Sequence, residues 1–403
     1  MPKCLKVVIA MSGGVDSSAA VFLLQKQGYE VIGMFMRLIN NSDDEQAARR
    51  VCAKLGVKFY PVNYADQFKK EVIDYFIKSY ERGLTPNPCA RCNRLIKFGA
   101  LLKSAEEIGA DFLATGHYVR CQISDFRCRK CLYKLLRGKD DGKDQSYFLY
   151  NLTQKQLARV LFPLGEYTKE EVRKIADNAG LPYVKKESQD VCFLKGDHND
   201  FLREHINLKP GPIVALTPNP SPAAAGEGSA LIKYNCDKIA PSTVRYERGR
   251  AGEGEKIGEH QGLPLYTIGQ RRGVEIGGTG PFYAAKCDYK TNTLYVVSDR
   301  DDPVLYSNEL IAGDVNWISG KEPKLPLSCH AVIRYRHKPV KCIITIGTGQ
   351  CPVHAKKYSV KFNKPQRAVT PGQSVVFYKG LKGSLWRFKA RIIFLKQICS
   401  RIL

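Results

Sequence analysis

Lys6-Val7-Val8-Ile9-Ala10-Met11-Ser12-Gly13-Gly14-Val15-Asp16-Ser17-Ser18 joins a β-rich apolar run to a helical pattern through a turn of serines and glycines. Glycines let a backbone fold tightly around an anion. The free N–H groups of the following helix, with the hydroxyls of Ser12, Ser17 and Ser18, can then grip a phosphate. No Gly-Lys-Ser/Thr follows, so this is not the Walker loop, and a bare Ser-Gly-Gly after a strand is common enough to mean little alone. Asp16 in this position reads on its own as a helix N-cap.

Outward from the turn, strand-like runs at 6–10, 31–36, 58–62 and 112–115 alternate with helical patterns at 17–27, 45–55, 67–80 and 95–108. Alternation of this kind predicts an α/β domain, a parallel sheet with helices on both faces. The domain continues through a helix at 168–179, where Thr168 and Glu171 form a capping box, and closes near His205. From Lys209 the helical period gives way to Pro, Gly and alternating runs at 281–287 and 293–297, the pattern of a small β-rich central domain. Within it, residues 217–255 contain Pro-Asn-Pro-Ser-Pro-Ala-Ala-Ala-Gly-Glu-Gly and no apolar period, and read as a disordered surface insertion. Strand patterns at 331–335, 342–346, 374–378 and 390–395 predict a C-terminal antiparallel β-barrel. The expected domains are 1–205, 206–300 and 301–403.

A chain of 403 residues with 44% apolar content exceeds one compact core. Lysine and arginine number 63 against 39 acidic residues, and the net +24 is spread along the chain. That surplus points to a polyanionic partner, nucleic acid ahead of a membrane surface. The apolar stretch 7–11 is too short for a signal core and no run approaches a membrane span, so no membrane and a cytoplasmic location are expected. Fourteen cysteines in such a chain are free, catalytic or metal-binding thiols rather than a disulfide framework. Cys4, Cys52, Cys121, Cys236, Cys287, Cys329, Cys342, Cys351 and Cys399 stand singly, where a small buried hydrophobe is the default.

The full run Ala10 to Ser18 resembles the PP-loop of the ATP pyrophosphatases, which cleave ATP between its α- and β-phosphates to adenylate a carbonyl oxygen. The resemblance implies ATP and Mg²⁺ as cofactors, nucleotide contacts at Ala10, Met11, Ser12, Gly13, Gly14, Val15, Asp16 and Ser17, and Asp16 organising Mg²⁺ or the attacking group. Further along stand Thr85-Pro86-Asn87-Pro88-Cys89-Ala90-Arg91-Cys92-Asn93, Ala114-Thr115-Gly116-His117-Tyr118, Lys143-Asp144-Gln145-Ser146-Tyr147-Phe148 and Ser188-Gln189-Asp190-Val191-Cys192-Phe193. Gly262-Leu263-Pro264 to Gly273, Arg334-Tyr335-Arg336 and Pro371-Gly372-Gln373 follow. In this order, and over nearly the whole chain apart from the insertion, they resemble the bacterial tRNA-specific 2-thiouridylases.

That resemblance implies adenylation of the C2 oxygen of the wobble uridine in tRNAs for Lys, Glu and Gln, then its replacement by sulfur. Cys192 matches the persulfide carrier and Cys92 the nucleophile, a pair of thiols that suits sulfur transfer. Met36 and Gly116 match nucleotide contacts, and Asn87, Pro88 and Cys89 the segment facing the target base. His117, Lys143, Asp144, Gln145, Arg334, Tyr335 and Gln373 match tRNA contacts. A persulfide relay protein or a cysteine desulfurase is the implied sulfur donor.

Cys89 departs from the aspartate that many members carry. With Cys92 and Cys192 it offers three thiolates to an iron–sulfur cluster, an alternative to the persulfide relay. Cys128 and Cys131 make a second Cys-x-x-Cys between two strands of a hairpin. The pairs mimic a four-cysteine zinc site across a long gap, and an accident of the hairpin is the better reading. A non-enzymatic zinc-stapled RNA-binding protein would contain zinc and release no pyrophosphate, and a lysidine-type or amide-forming PP-loop synthetase would tolerate Cys192→Ser.

Overall fold

The computed structural model describes residues 4–39, 42–123, 132–184, 191–194, 196–216, 254–274, 281–347, 356–380, 391–393 and 396–398. Cys128 and Cys131, the stretch Ser188-Gln189-Asp190, residues 217–253 of the expected insertion, and Cys236, Cys351 and Cys399 lie outside the described residues. The chain forms two compact units, one of Met1–His205 with Asn308–Gln366 and Thr370–Leu403, the other of Ile206–Ser307 with Arg367–Val369.

In the first unit, β1 (Lys6–Met11), α1 (Val15–Lys26), β2 (Glu30–Arg37), α2 (Ser42–Lys54) and β3 (Lys58–Asn63) alternate as the sequence predicts. A helical stretch follows as α3 (Ala65–Phe68), a π-helical segment Lys69–Ile73 and α4 (Asp74–Glu81). The helix expected from 95 begins earlier, at α5 (Pro88–Cys92), and runs through a π-helical segment Asn93–Ala100 into α6 (Leu101–Glu107). Its start is a local capping effect, since the Asn87 side chain accepts from the Ala90 N–H at 3.1 Å and Pro88 fills the first helical position. Then come β4 (Phe112–Ala114), β5 (Val119–Ile123), β6 (Tyr133–Arg137), α7 (Gln154–Leu157), β7 (Val160–Leu161), α8 (Lys169–Asn178) and α9 (His198–His205). Thr168 and Glu171 close the capping box of α8.

Strands β3-β2-β1-β4-β7 form one parallel sheet. Period-two alternation sends Val7 and Ile9 to one face, against Ala19, Ala20 and Leu24 of α1 and Val172 of α8. Val8, Ile32 and Met34 pack on the other, with Leu101, Leu149 and Leu152. Both faces are covered, which is why the strands read as continuous apolar runs.

The second unit contains β8 (Gly211–Ala215), β9 (Lys256–His260), β10 (Tyr283–Asp288) and β11 (Thr293–Val297), in the order β10-β11-β8-β9 around Ile213, Phe282, Leu294 and Val296.

The chain continues through β12 (Tyr306–Gly313), β13 (Leu327–Val332), β14 (Val340–Ile346), β15 (Tyr358–Arg367), β16 (Val376–Lys379), β17 (Arg391–Ile393) and β18 (Lys396–Ile398). These join β5 and β6 in a nine-stranded sheet, β17 pairing with β6 at Arg391 and Leu136. The strand expected over 331–335 stops at Val332, because Arg334 to Arg336 turn, with Arg336 at φ 63° and the His337 N–H bonded to the Arg334 carbonyl at 3.1 Å. Val332, Val376 and Tyr378 share one apolar core with Val8, Leu113 and Leu135. That common core makes the N- and C-terminal segments a single unit.

Candidate active site: a phosphate loop and three thiols

Met11, Met36 and Thr115 stand at or just beyond the carboxyl ends of β1, β2 and β4. The sheet order reverses between β1 and β4, and α/β sheets bind ligands at such a switch point. Gly13 turns there with φ 75°, and a Cβ on it would lie 2.7 Å from the Asp44 carbonyl oxygen and 2.8 Å from the Ala47 Cβ. Gly116, after β4, presses on the loop so closely that a Cβ would lie 3.0 Å from the Asp16 carbonyl carbon and 3.1 Å from the Ser17 nitrogen. The N-terminus of α1 carries no side-chain cap and keeps its dipole open to an anion.

The Ser12 and Ser17 hydroxyls are 3.2 Å apart, and the Ser12 N–H donates to Ser17 Oγ at 3.2 Å. Ser17 and Ser18 are both buried and donate their hydroxyls to the Gly14 carbonyl, at 3.1 and 2.9 Å. Asp16 is not the N-cap, because Gly14 holds that position. Both Asp16 carboxylate oxygens accept from the Lys169 ammonium, at 2.7 and 2.8 Å, and the Tyr118 hydroxyl donates to Oδ1 at 2.6 Å. The Lys169 side chain is only 8% exposed, against 35% for Asp16. Lys169, set by the cap of α8, is a candidate site residue that the sequence reading missed. Its one signal was its place directly after Thr168. The cradle fits a nucleotide's phosphates, and Asp16, which is 35% exposed, keeps a free lone pair on Oδ2 beside its bond from Lys169. Among the described residues no group of three His, Cys, Asp or Glu side chains is arranged to hold a metal.

From Gly116 the site continues to His117, buried against Phe98 and Phe162 and sharing a 2.7 Å hydrogen bond between Nδ1 and Thr115 Oγ1. Burial holds its pKa well below the usual imidazole range, and the charge of Lys97 adds to this, so the ring is neutral. Lys97, on the π-helical segment after α5, also acts on three cysteines. Burial pushes the Cys89 thiol up to about 11 and the Cys92 thiol up to about 12, Lys97 opposing both. Cys192 is an exposed residue, yet desolvation still raises its thiol, and again Lys97 opposes. Cys192 adds to the rise at both Cys89 and Cys92, and Cys89 adds to it at Cys92, which places the expected Cys92 and Cys192 near each other with Cys89 beside them. Phe193 anchors Cys192, its ring meeting Phe76 at 5.2 Å and Phe201 at 5.4 Å. The Val184 N–H bonds to the Gly13 carbonyl at 3.0 Å, tying the segment before Cys192 to the phosphate loop.

A thiol at about 12 has about a thousandfold less thiolate at neutral pH than one at its ordinary value of 9.0. Peptide-resolved alkylation of Cys92 by iodoacetamide is therefore expected to be slow at pH 7 and to rise about tenfold per pH unit up to pH 10. Lys97→Gln removes the opposing cation and slows it further. A plateau below pH 9 would refute this placement of the thiol.

The residues expected at tRNA fall in two places. Asp144 is buried, and its carboxylate accepts from the Arg137 guanidinium at 2.7 Å, from the Gly138 and Ser146 N–H groups at 3.1 Å and from the Ser146 hydroxyl at 2.8 Å. It braces the loop that carries Lys143. Gln145 Oε1 accepts from the Tyr118 N–H at 3.0 Å, linking that loop to the partner of Asp16. Tyr335 packs on Phe148 at 4.5 Å, so the Arg334–Tyr335 turn stands beside the 143–148 segment. Gln373 lies in the loop whose Ser374 hydroxyl accepts from Asn87 Nδ2 at 3.2 Å, beside the Cys89 segment.

Family models match residues 5–196 as a tRNA methyl transferase HUP domain, 249–298 as a tRNA methyl transferase PRC-barrel domain and 307–382 as an aminomethyltransferase beta-barrel domain. The tRNA-specific 2-thiouridylase MnmA of Roseiflexus castenholzii is 40% identical, covering 93% of this chain and 96% of that protein. That of Geobacillus thermodenitrificans is also 40% identical, over 94% and 93%, and that of Idiomarina loihiensis 39%, over 93% and 92%. With likeness of this extent over nearly its full length, and with the phosphate loop and paired thiols in place, the chain belongs to the tRNA-specific 2-thiouridylase family.

Proposed function

We propose that this chain is a tRNA-uridine 2-sulfurtransferase that adenylates the C2 oxygen of the wobble uridine in tRNAs for Lys, Glu and Gln and replaces it with sulfur. One observation carries the reading. A glycine-turned phosphate loop connects through Gly116 and His117 to Lys97 and the three thiols it serves. ATP enters as its Mg²⁺ complex, and no step here is derived through the metal.

Phosphate oxygens are held by the Ser12 and Ser17 hydroxyls and the open N-terminus of α1, with Ala10, Met11, Val15, Met36 and Gly116 bounding the nucleotide. The uridine C2 oxygen attacks the α-phosphorus, the α–β bond breaks and pyrophosphate leaves. The terminal sulfur of a Cys192 persulfide then attacks C2, and AMP departs with the original oxygen. Cys92 thiolate attacks Cys192 Sγ, a disulfide forms and the S–S bond to the base breaks, leaving 2-thiouridine. An external dithiol reduces the disulfide, and a relay protein or cysteine desulfurase reloads Cys192. Asn87, Pro88 and Cys89 face the base. Lys143, Arg334, Tyr335 and Gln373 contact tRNA, while His117, Asp144 and Gln145 act by holding the surfaces around them. In this reading 1–205 carries the chemistry, 206–300 is a central domain and 301–403 binds tRNA, in the cytoplasm. Among the described residues no helix is long and apolar enough to cross a membrane.

Nucleoside analysis of unmodified tRNA incubated with ATP, Mg²⁺ and a persulfide donor tests the proposal, which requires 2-thiouridine and equimolar AMP. ATP consumption without a thiolated nucleoside would refute it. With a net charge of +24, tRNA affinity should also fall about a hundredfold or more between 50 and 200 mM salt through counterion release. A flat dependence, measured by filter binding, would contradict the charge argument.

A further inference from the structure

A cavity of about 290 Å³ opens beside α5, lined among others by Tyr75, Asn87, Arg91, Arg94, Asn151 and Ser374. Neither Cys89 nor Cys92 lines it, although both lie on the same short helix. Arg91 follows Cys89 by two positions, about 200° around the helix, so the cavity opens on a face of α5 turned away from Cys89.

The walls are fixed. Ser374 Oγ shares a hydrogen bond of 2.6 Å with the Tyr150 hydroxyl, and the Tyr147 hydroxyl donates to the Ser374 carbonyl at 2.7 Å. The Thr85 N–H donates to the Pro371 carbonyl at 2.8 Å. The Arg91 guanidinium carbon lies over the Tyr75 ring, 4.6 Å from its centre, and is held by a 2.6 Å ion pair with Glu71. Inside this frame Asn151 is 5% exposed, and its Oδ1 has no hydrogen-bond partner. An orphaned buried acceptor is costly, and a native structure leaves one where a ligand or water completes it. The cavity thus brings together the Tyr75 ring, the Arg91 guanidinium, Asn151 with its unfilled acceptor and the exposed cation of Arg94, at the lower end of small-molecule site volumes.

We propose that this cavity receives the base of an unpaired tRNA nucleotide next to the target uridine. Asn151 Oδ1 accepts from a base N–H, the base ring lies along Tyr75 and Arg91, and Arg94 faces the phosphate. Single-stranded RNA is read in this way, by splayed bases stacked on aromatic or arginine planes and hydrogen-bonded at their edges. The inference rests on the tRNA-thiolation reading, and it makes Asn151 a specificity residue for the nucleotide beside the reaction.

The test uses two anticodon stem-loop RNAs carrying 2-aminopurine immediately 5′ or 3′ of the target uridine. On binding to the full chain, one of the two is expected to lose fluorescence by stacking. Asn151→Leu, which removes the unpaired acceptor together with a side-chain hydrogen bond to Tyr150 and whose folding is checked by thermal denaturation, is expected to raise KM for stem-loop RNA about tenfold with kcat little changed. Replacing the flanking base in that position by an abasic residue should cost wild type the same factor and cost Asn151→Leu nothing further. Arg94→Gln, at an exposed position, should weaken binding with a smaller salt slope. Unquenched fluorescence at both positions, or an Asn151→Leu loss that persists undiminished on abasic RNA, would overturn the proposal and leave a hydrated crevice. Because 2-aminopurine reports binding without turnover, a wild-type protein that quenches but never thiolates would refute the thiolation reading instead.

Discussion

Cys92→Ser and Cys192→Ser are each expected to reduce 2-thiouridine formation by about a thousandfold or more, while Cys89→Ser keeps a substantial fraction of wild-type activity. In the persulfide route only two sulfurs change oxidation state, and losing either stops the cycle however intact the other remains. Pyrophosphate release on the first turnover should survive all three substitutions, because adenylation precedes sulfur transfer. The three thiols lie within one another's electrostatic reach, so proximity alone does not distinguish the roles. An iron–sulfur cluster would require all three as ligands, and no three-ligand group stands assembled among the described residues. Cys89→Ser as inactive as Cys92→Ser, with stoichiometric iron in anaerobically purified protein, would reverse the assignment.

Lys169→Met is expected to slow pyrophosphate release at least about a hundredfold, with a comparable loss for Asp16→Ala. The Lys169 ammonium is the buried positive charge at the mouth of the phosphate loop, and Asp16 holds it there through both carboxylate oxygens. Without the cation, the carboxylate faces incoming phosphate uncompensated. Without the carboxylate, a nearly buried ammonium is stranded. The second loss should also lower stability by on the order of 1–3 kcal/mol, less than for a fully buried pair because Asp16 stays 35% exposed. The double variant should recover part of that stability but none of the activity. Thermal denaturation and pyrophosphate release separate the two effects, and additive destabilisation in the double variant would show that the pair is not coupled.

The parallel sheet was legible because both its faces are buried, so Lys6–Met11 and Glu30–Arg37 advertise themselves as apolar runs between helical periods. The capping box at Thr168 was equally plain, since its two partners stand three residues apart. The start of the cysteine helix at Pro88 was missed because only five residues precede the switch to π-helical geometry, too few for a period to register. Lys169 and Lys97 were missed for another reason. Lys169 acts on Asp16, far away in sequence, and Lys97 on Cys192 as well as on nearby Cys89 and Cys92, and a lone lysine on a helix looks the same whether it faces water or a charged or ionisable partner. The same long range hid the cavity at Asn151, whose walls come from four separated segments.

The shared core also dictates an order of events during synthesis. Leu135, Leu113 and Val8 share a core with Val332, Val376 and Tyr378, which leave the ribosome only after the β8–β11 unit. The nascent nucleotide-binding segment therefore waits with part of its apolar face uncovered while the β8–β11 unit is being made. A chain truncated after His205 would keep that face open permanently.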